Sequence, residues 1–442
     1  LSDASHKKRK SVFWIVAVTI VLGLAVAGIW IAKSKKESGQ RRALAVSQSD
    51  RASALAKDQK HAEAEAEYRL ATKTDPSYAI AHYGLGLALM NQNKLVEAEG
   101  AFREAIKQDA NYALAHNALA VVLLNQKKYT EGEAELREAL RLEPNIARAH
   151  LNLAIRLSEQ EKYPESEAEF RKALALDSTL GANAEFHYSF GDVLVGQNRH
   201  VEAEERYREA VRLNPKYAAA YEALGLELLQ LGKPAEAEYA LRQAINLDPR
   251  IARNAVVRAN LGLALWQRRD KAAESEYREA LKLDPNNAEA HNGMGEIFLY
   301  TGGIEDAARE FREASRLKPS LGAVHANLAI ALNALDQPRE AETELREAMK
   351  LDPNLATQGD IRLSLGVALL GQKRYGEAEA ELKEALKLMP SLASIPYFHY
   401  DMASALAHQQ RLDEARVEYK EAMRLKTKPF IMKEDLSWLL SQ

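Results

Sequence analysis

The 442-residue chain has no cysteine. That excludes disulfides, thiol catalysis, cysteine-ligated zinc, iron–sulfur clusters and thioether-linked haem, and it fits any redox compartment. Aromatic residues are scarce, at 7%. An excess of either charge is also missing: 60 basic and 63 acidic side chains leave −3, short of the basic surface that general nucleic-acid binding needs. No histidine stands near a serine or carboxylate at the spacing of a nucleophile motif. Tyr300-Thr301-Gly302-Gly303 reads as a turn between helices and lacks the glycine spacing and lysine of a phosphate loop. The expectation is a protein with no catalytic, cofactor or metal site. A chain of this length would ordinarily form roughly three domains.

The near-neutral total conceals two unlike parts. Residues 1–42 hold nine basic and two acidic side chains, while the other 400 hold 51 basic and 61 acidic. Within the basic part, Val12 to Ala32 (VFWIVAVTIVLGLAVAGIWIA) is 21 residues without a charge. As a helix it matches the roughly 30 Å hydrocarbon core of a bilayer, with Trp14 and Trp30 near its two ends. The spacing predicts a short basic tail at 1–11, a transmembrane helix at 12–32 and a basic juxtamembrane linker at 33–44. Ala25-Val26-Ala27 also resembles a signal-peptidase site, but the apolar run continues through Ile31, which favours a retained anchor. Four basic residues precede the span (Lys7, Lys8, Arg9, Lys10) and five follow it (Lys33, Lys35, Lys36, Arg41, Arg42), so charge gives little guidance on orientation. A bacterial inner-membrane protein with its bulk in the periplasm is expected, with a cytoplasmic bulk as the alternative.

The remainder repeats itself. Phrases such as EAEYREALKLDPNNAEAH near Tyr277 and ETELREAMKLDPNLA near Leu345 align at a period of 34 residues. Pro76, Pro144, Pro215, Pro249, Pro285, Pro319, Pro353 and Pro390 share one column, where proline ends a second helix. Alanine fills another column in every unit, from Ala71, Ala105 and Ala139 through Ala210 to Ala422. A third is always small (Ala52, Gly86, Ala120, Gly225, Gly295, Gly366 and their equivalents), opposite a large one that includes Tyr68, Phe102, Tyr277 and Phe311. Small residues at fixed places let paired helices approach closely.

These residues resemble the tetratricopeptide repeat (TPR) family, as found in membrane-anchored bacterial proteins, from about Ala45 to Lys428. The resemblance implies an all-α, right-handed superhelical solenoid of about eleven helix–turn–helix units at 45–428, preceded by the one transmembrane helix. Residues 429–442 read as a C-terminal capping helix carrying Trp438. Such an array buries one continuous core between neighbours in place of separate domains. Three extra residues precede Gly191, Gly262, Gly366 and Ala403. They predict first helices extended near Asn183–Phe190, Asn254–Asn260, Gln358–Leu365 and Ile395–Met402, with a longer loop as the alternative.

In this family the concave face is built from fixed positions of each first helix. Here those positions are largely aliphatic: Leu87, Met90, Val121, Leu124, Ile155, Val195, Leu226, Leu229, Leu263, Trp266, Leu299, Ile330, Val367 and Leu370. Such a groove exceeds the apolar patch a soluble monomer usually exposes, and it points to an apolar helix or peptide segment of a protein partner, or to self-association. The alternative is tighter packing that buries these side chains. Seven histidines share a column (His82, His116, His150, His187, His291, His325, His399), but successive members lie a full repeat apart, too far to share one metal ion, and a packing role is expected. Acidic clusters such as Glu63/Glu65/Glu67 and Glu377/Glu379/Glu381 read as a solvated face with helical ion pairs. The lysine–asparagine clamp of the chaperone-tail-binding type is replaced here by aliphatic residues. The asparagine ladder of the glycosyltransferase type keeps only Asn152, Asn260 and Asn327. The composite expectation is a membrane-anchored, non-catalytic scaffold that supports assembly of a membrane-associated complex. The alternative is a self-assembling polymer or an accessory subunit of a large enzyme complex. Neither nucleic acid nor a small-molecule substrate is an expected partner.

Overall fold

The computed structural model describes the backbone of residues 2–426 and 436–440; within those ranges side chains are described from Lys33 onward except Trp438, together with Ala27, Trp30 and Ile31. The described residues are helical throughout, with no strand. The chain divides into two compact units, residues 1–199 and 200–442. The first contains α1 (Ser2–Lys57), α2 (His61–Thr74), α3 (Ala79–Asn91), α4 (Leu95–Gln108), α5 (Ala113–Asn125), α6 (Tyr129–Leu142), α7 (Ala147–Glu159), α8 (Tyr163–Leu176) and α9 (Ala184–Gly196). The second contains α10 (His200–Leu213), α11 (Ala218–Gln230), α12 (Pro234–Leu247), the single turn α13 (Pro249–Ala252), α14 (Ala255–Gln267), α15 (Ala272–Leu283), α16 (Ala288–Thr301), α17 (Ile304–Leu317), α18 (Gly322–Ala334), α19 (Pro338–Leu351), α20 (Gly359–Gly371), α21 (Tyr375–Leu388), α22 (Pro396–His408) and α23 (Leu412–Leu425). Each unit is a stack of helix pairs in which neighbours in sequence are neighbours in space.

The small columns make the pairs. A Cβ on Gly86 would lie 2.5 Å from the Phe102 ring, and one on Gly295 would lie 2.6 Å from the Phe311 ring, so the second helix seats its large residue on bare backbone of the first. The alanine column is fully buried from Ala71 to Ala422. Within a pair, the first helix ends in a left-handed residue: Asn93, for example, has φ 62°. There the N–H of Lys94 bonds the Leu89 carbonyl (3.0 Å) and that of Asn93 bonds Met90 (2.9 Å), which satisfies carbonyls the helix leaves open. Glycine takes this left-handed position at Gly302 (φ 89°) and Gly232 (φ 68°), whereas Lys127, Arg269 and Lys373 hold it with side chains attached.

The extended first helices do not occur. α9, α14, α20 and α22 are each 13 residues long, the standard length here. The extra residues form 3-10 turns at Ser178–Ala182, Pro353–Thr357 and Pro390–Ser394, and the turn α13. Asp177, Asp248 and Asp352 accept the backbone N–H two residues on at the start of three of these turns, and Asn183 and Asn254 cap α9 and α14.

Among the described residues no helix is long and apolar enough to cross a membrane. The expected span 12–32 lies, apart from Ala27, Trp30 and Ile31, on side chains outside the described residues, although the backbone of α1 is helical through it. Of the expected capping helix, residues 429–435, 441 and 442 lie outside the described residues. The described part is a 3-10 turn, Ser437–Leu440, and with it Leu436 and Leu439 join the core of the last repeat beside Tyr419 and Ala422.

Candidate partner-binding face

The fourteen aliphatic and aromatic candidates fall on one set of first helices. Leu87 and Met90 lie on α3, Val121 and Leu124 on α5, Ile155 on α7 and Val195 on α9, all in the first unit. In the second, Leu226 and Leu229 lie on α11, Leu263 and Trp266 on α14, Leu299 on α16, Ile330 on α18, and Val367 and Leu370 on α20. None is fully buried. Most are half-exposed, and Ile155 and Leu226 reach 38% and 37% exposure. Leu87, Leu124, Leu229, Trp266, Leu299 and Leu370 lean against the repeat core with the rest of their surface open. In the same register, Asn333 and Ala407 are buried and interrupt the stripe.

The stripe also carries a polar patch in the second unit. Glu296 stands one repeat after Leu263 and accepts the Trp266 indole N–H (2.8 Å), the Asn292 amide (2.8 Å) and the Asn327 amide (3.2 Å). Asn327 also donates to Asn292 (3.1 Å), and Asn152 makes the same bond to Asn117 (3.1 Å) in the first unit. Asparagines 35 residues apart therefore link successive first helices instead of forming a continuous ladder. Burial and the nearby Glu296 carboxylate push the Tyr277 phenol up.

The histidine column is held by its own repeats. Nε2 of His116, His150, His291, His325 and His399 faces the carbonyl six residues earlier, and Nδ1 faces a glutamate nineteen residues later. Those glutamates are Glu135, Glu169, Glu310, Glu344 and Glu418. Sequence reasoning missed two members of this column. Arg258 bonds the Ala252 carbonyl (3.0 Å) and Glu276 (2.8 Å); Arg362 bonds Ala356 (2.8 Å) and Glu381 (2.8 Å). The recurrent downstream glutamate was the signal that would have found them. The Glu310 carboxylate raises the pKa of His291 against the opposing effect of burial. Among the described residues no three histidine, aspartate or glutamate side chains gather as a metal site.

The acidic clusters are not a uniformly solvated face. Glu65, Glu99, Glu133, Glu167, Glu204, Glu238, Glu342 and Glu379 occupy one column of the second helices and reach across to the next repeat. Glu65 takes Arg69 of its own helix (2.8 Å) and Lys94 (2.8 Å) and Gln92 (2.9 Å) of the following unit. Glu167 takes Arg199 (2.6 Å) and Gln197 (3.0 Å); Glu379 takes Arg411 (2.7 Å) and Gln409 (2.9 Å). The Glu65 carboxyl is held down to about 2 chiefly by its bond from Lys94. For Glu167 and Glu379 burial acts upward, but the bonds from their cations outweigh it and hold both at about 2. Glu381 is likewise tied to Arg362, and only members such as Glu377 point mainly to water. An alternation of glutamate and alanine shows that a face is charged but not which of its carboxylates the next repeat covers.

The tetratricopeptide repeat model matches residues 49–113, 117–180, 188–250, 326–393 and 363–427, and a TPR repeat model matches 270–302. The chain belongs to the tetratricopeptide repeat family. Hsp70-Hsp90 organizing protein 1 of Glycine max is 34% identical over 104 residues, covering 24% of this tetratricopeptide chain; the match spans 18% of that protein's own length. Among solved structures, YrrB, described as a TPR protein with an unusual peptide-binding site, is 24% identical, with 43% of this chain and 96% of that chain covered and a TM-score of 0.39. The pilF protein of Pseudomonas aeruginosa is 21% identical, with 48% and 94% covered and a TM-score of 0.43. Tetratricopeptide repeats are in general protein-interaction modules.

Proposed function

We propose that this repeat protein is a non-catalytic scaffold, anchored in a membrane by residues 12–32, that captures an apolar segment of a partner protein on its first-helix face and so supports assembly of a membrane-associated complex. The partial exposure of all fourteen apolar candidates carries this reading: core residues would be fully covered, and ordinary surface positions would be polar. The 21 uncharged residues of the span support the anchor. A scaffold outside the cytoplasm of a bacterial inner membrane is the proposed placement. A cysteine at Gly100, which is exposed and has no atom within 4 Å of a Cβ, tests it in this cysteine-free chain. A membrane-impermeant maleimide should label that cysteine in intact cells, and labelling only after lysis overturns the placement.

The partner-binding claim has its own test. Leu226→Glu with Leu229→Glu should abolish capture of a leucine-rich helical peptide while the far-UV circular dichroism stays that of a folded helical protein, with Tm lowered because Leu229 leans on the core. Retained capture in that variant rejects the face as the binding surface.

A further inference from the structure

Glu296 is unusual among the half-buried glutamates of this chain. The clamp glutamates Glu65, Glu167, Glu204 and Glu379 each face at least two cations. Glu296 instead accepts three bonds from neutral donors, Trp266, Asn292 and Asn327, drawn from three successive first helices. No lysine, arginine or histidine among the described residues pairs with it. Its orientation is thus fixed from three sides while its charge remains uncompensated, an arrangement that favours an incoming cation.

An aromatic corner adjoins this carboxylate. Trp266 and Tyr300 meet edge to face, with centroids 5.5 Å apart at 79°, and Tyr300 is 69% exposed. The Arg269 guanidinium lies 4.8 Å from the Trp266 ring centroid and 5.0 Å from that of Tyr300. Arg269 has no carboxylate partner among the described residues and extends from a left-handed turn residue (φ 58°), so ring faces alone hold it there. The corner therefore already attracts a cation, from the nearest loop. On either side the face is apolar: Leu263 lies one turn before Trp266, and Ile330 one turn after Asn327.

We propose that Glu296, Trp266 and Tyr300 form a receptor for one cationic side chain, an arginine or lysine, carried within the apolar partner segment, and that Arg269 occupies the aromatic part of that receptor until the partner displaces it. The carboxylate would accept the charged N–H groups and the rings would cover the flat or methylene surface behind them. The inference rests on the apolar-segment reading above and sharpens it: the face would select basic-apolar segments over purely apolar ones.

Two arms test it on the full chain in detergent. In the first, acetyl-arginine methylamide and acetyl-norleucine methylamide are titrated while the Trp266 indole N–H resonance, assigned with Trp266→Phe, is followed. The arginine compound should shift that resonance saturably and the norleucine compound should not. Glu296→Gln should remove the shift, and Arg269→Ala should tighten the arginine compound by about two- to fivefold by vacating the rings. Equal responses to the two compounds, or an unchanged response in a folded Glu296→Gln protein, overturn the site.

In the second arm, two leucine-rich 16-residue peptides differ only at a central arginine or norleucine. The arginine peptide should bind about tenfold more tightly, and Glu296→Gln should bring that ratio near one. Leu226→Glu with Leu229→Glu should weaken both peptides alike. Binding of both peptides without preference removes the cation receptor and leaves the apolar face standing. A response to the arginine compound with no peptide binding does the reverse.

Discussion

Repeat eight, built from α16 and α17, is joined to its neighbours differently from the repeats that contain α2, α8 and α21. At the seams after α2, α8 and α21, a largely covered glutamate of one second helix is tied to a glutamine and a cation of the next repeat. Both seams of repeat eight lack this tie. Before it, Glu274 bonds only Arg278 of its own helix, and the glutamine position of the next unit is Thr301, whose hydroxyl bonds the Ile297 carbonyl of its own helix (3.0 Å). After it, the glutamate is replaced by Ala308 and the glutamine by Leu335, which packs on an aliphatic core. Bonds among Trp266, Glu296, Asn292 and Asn327 instead link α14, α16 and α18. At the end of the array the position becomes Arg416, which bonds the Leu439 carbonyl (2.9 Å) of the terminal turn in place of a further repeat.

The largest expected contrast comes from deleting one carboxylate in each region. Glu379→Ala should destabilise the seam between α21 and α22 by about 2 kcal/mol, because Arg411, Lys383 and Gln409 lose their acceptor; the figure is kept low because both cations are partly exposed. Glu274→Ala should change stability by no more than about 0.5 kcal/mol. Amide exchange in residues 375–408 and 272–301 measures the two, and equal losses would dissolve the distinction.

Acid offers the next test. Glu65, Glu167 and Glu379 titrate near 2 when folded, below their ordinary value of 4.5. Protons therefore favour the unfolded form, and the stability from these groups is complete above about pH 4.5 and lost as pH falls toward 2. The Ala308–Leu335 contact has no such group, so exchange should quicken first at the clamped seams. His291 has the opposite sign. Its pKa is raised above 6.5 by Glu310 and by Glu313, so its contribution is complete below 6.5 and lost as pH rises through the raised value. His291→Arg, which copies Arg258 and Arg362, should abolish that alkaline loss in urea unfolding followed between pH 6 and 9.

The smallest effect belongs to the turns. Repeat eight spends a glycine at its left-handed position, Gly302, where the third repeat carries Lys127. Lys127→Gly should raise the urea midpoint by the equivalent of about 1 kcal/mol by relieving the contact between Cβ and backbone at φ 62°. Tm should follow.

Periodicity made the helix pairs, the seam of small residues and the buried alanine column legible in advance, since each repeats a steric requirement eleven times. The apolar face was legible for the same reason. Features that depend on the next repeat were not. Glu65 and Glu63 look alike on a helix, and only the covering Gln92 and Lys94 separate them. The insertions before Gly191 and Gly366 add nearly one helical turn, so periodicity alone allowed a longer helix, whereas the added residues form separate 3-10 turns. Glu296 broke the aliphatic pattern of its column visibly, but its three donors lie about one repeat away or one turn away and could not be paired by inspection.

The ties described here, from Lys94–Glu65 to Asn327–Asn292, join positions no more than 35 apart in the chain. The entropy of closing a loop depends on the length of that loop and not on the length of the whole chain. Adding or removing a repeat therefore leaves the closure cost of every remaining seam unchanged. Folding can start at any well-packed pair and spread to its neighbours, and its rate should depend little on how many repeats follow.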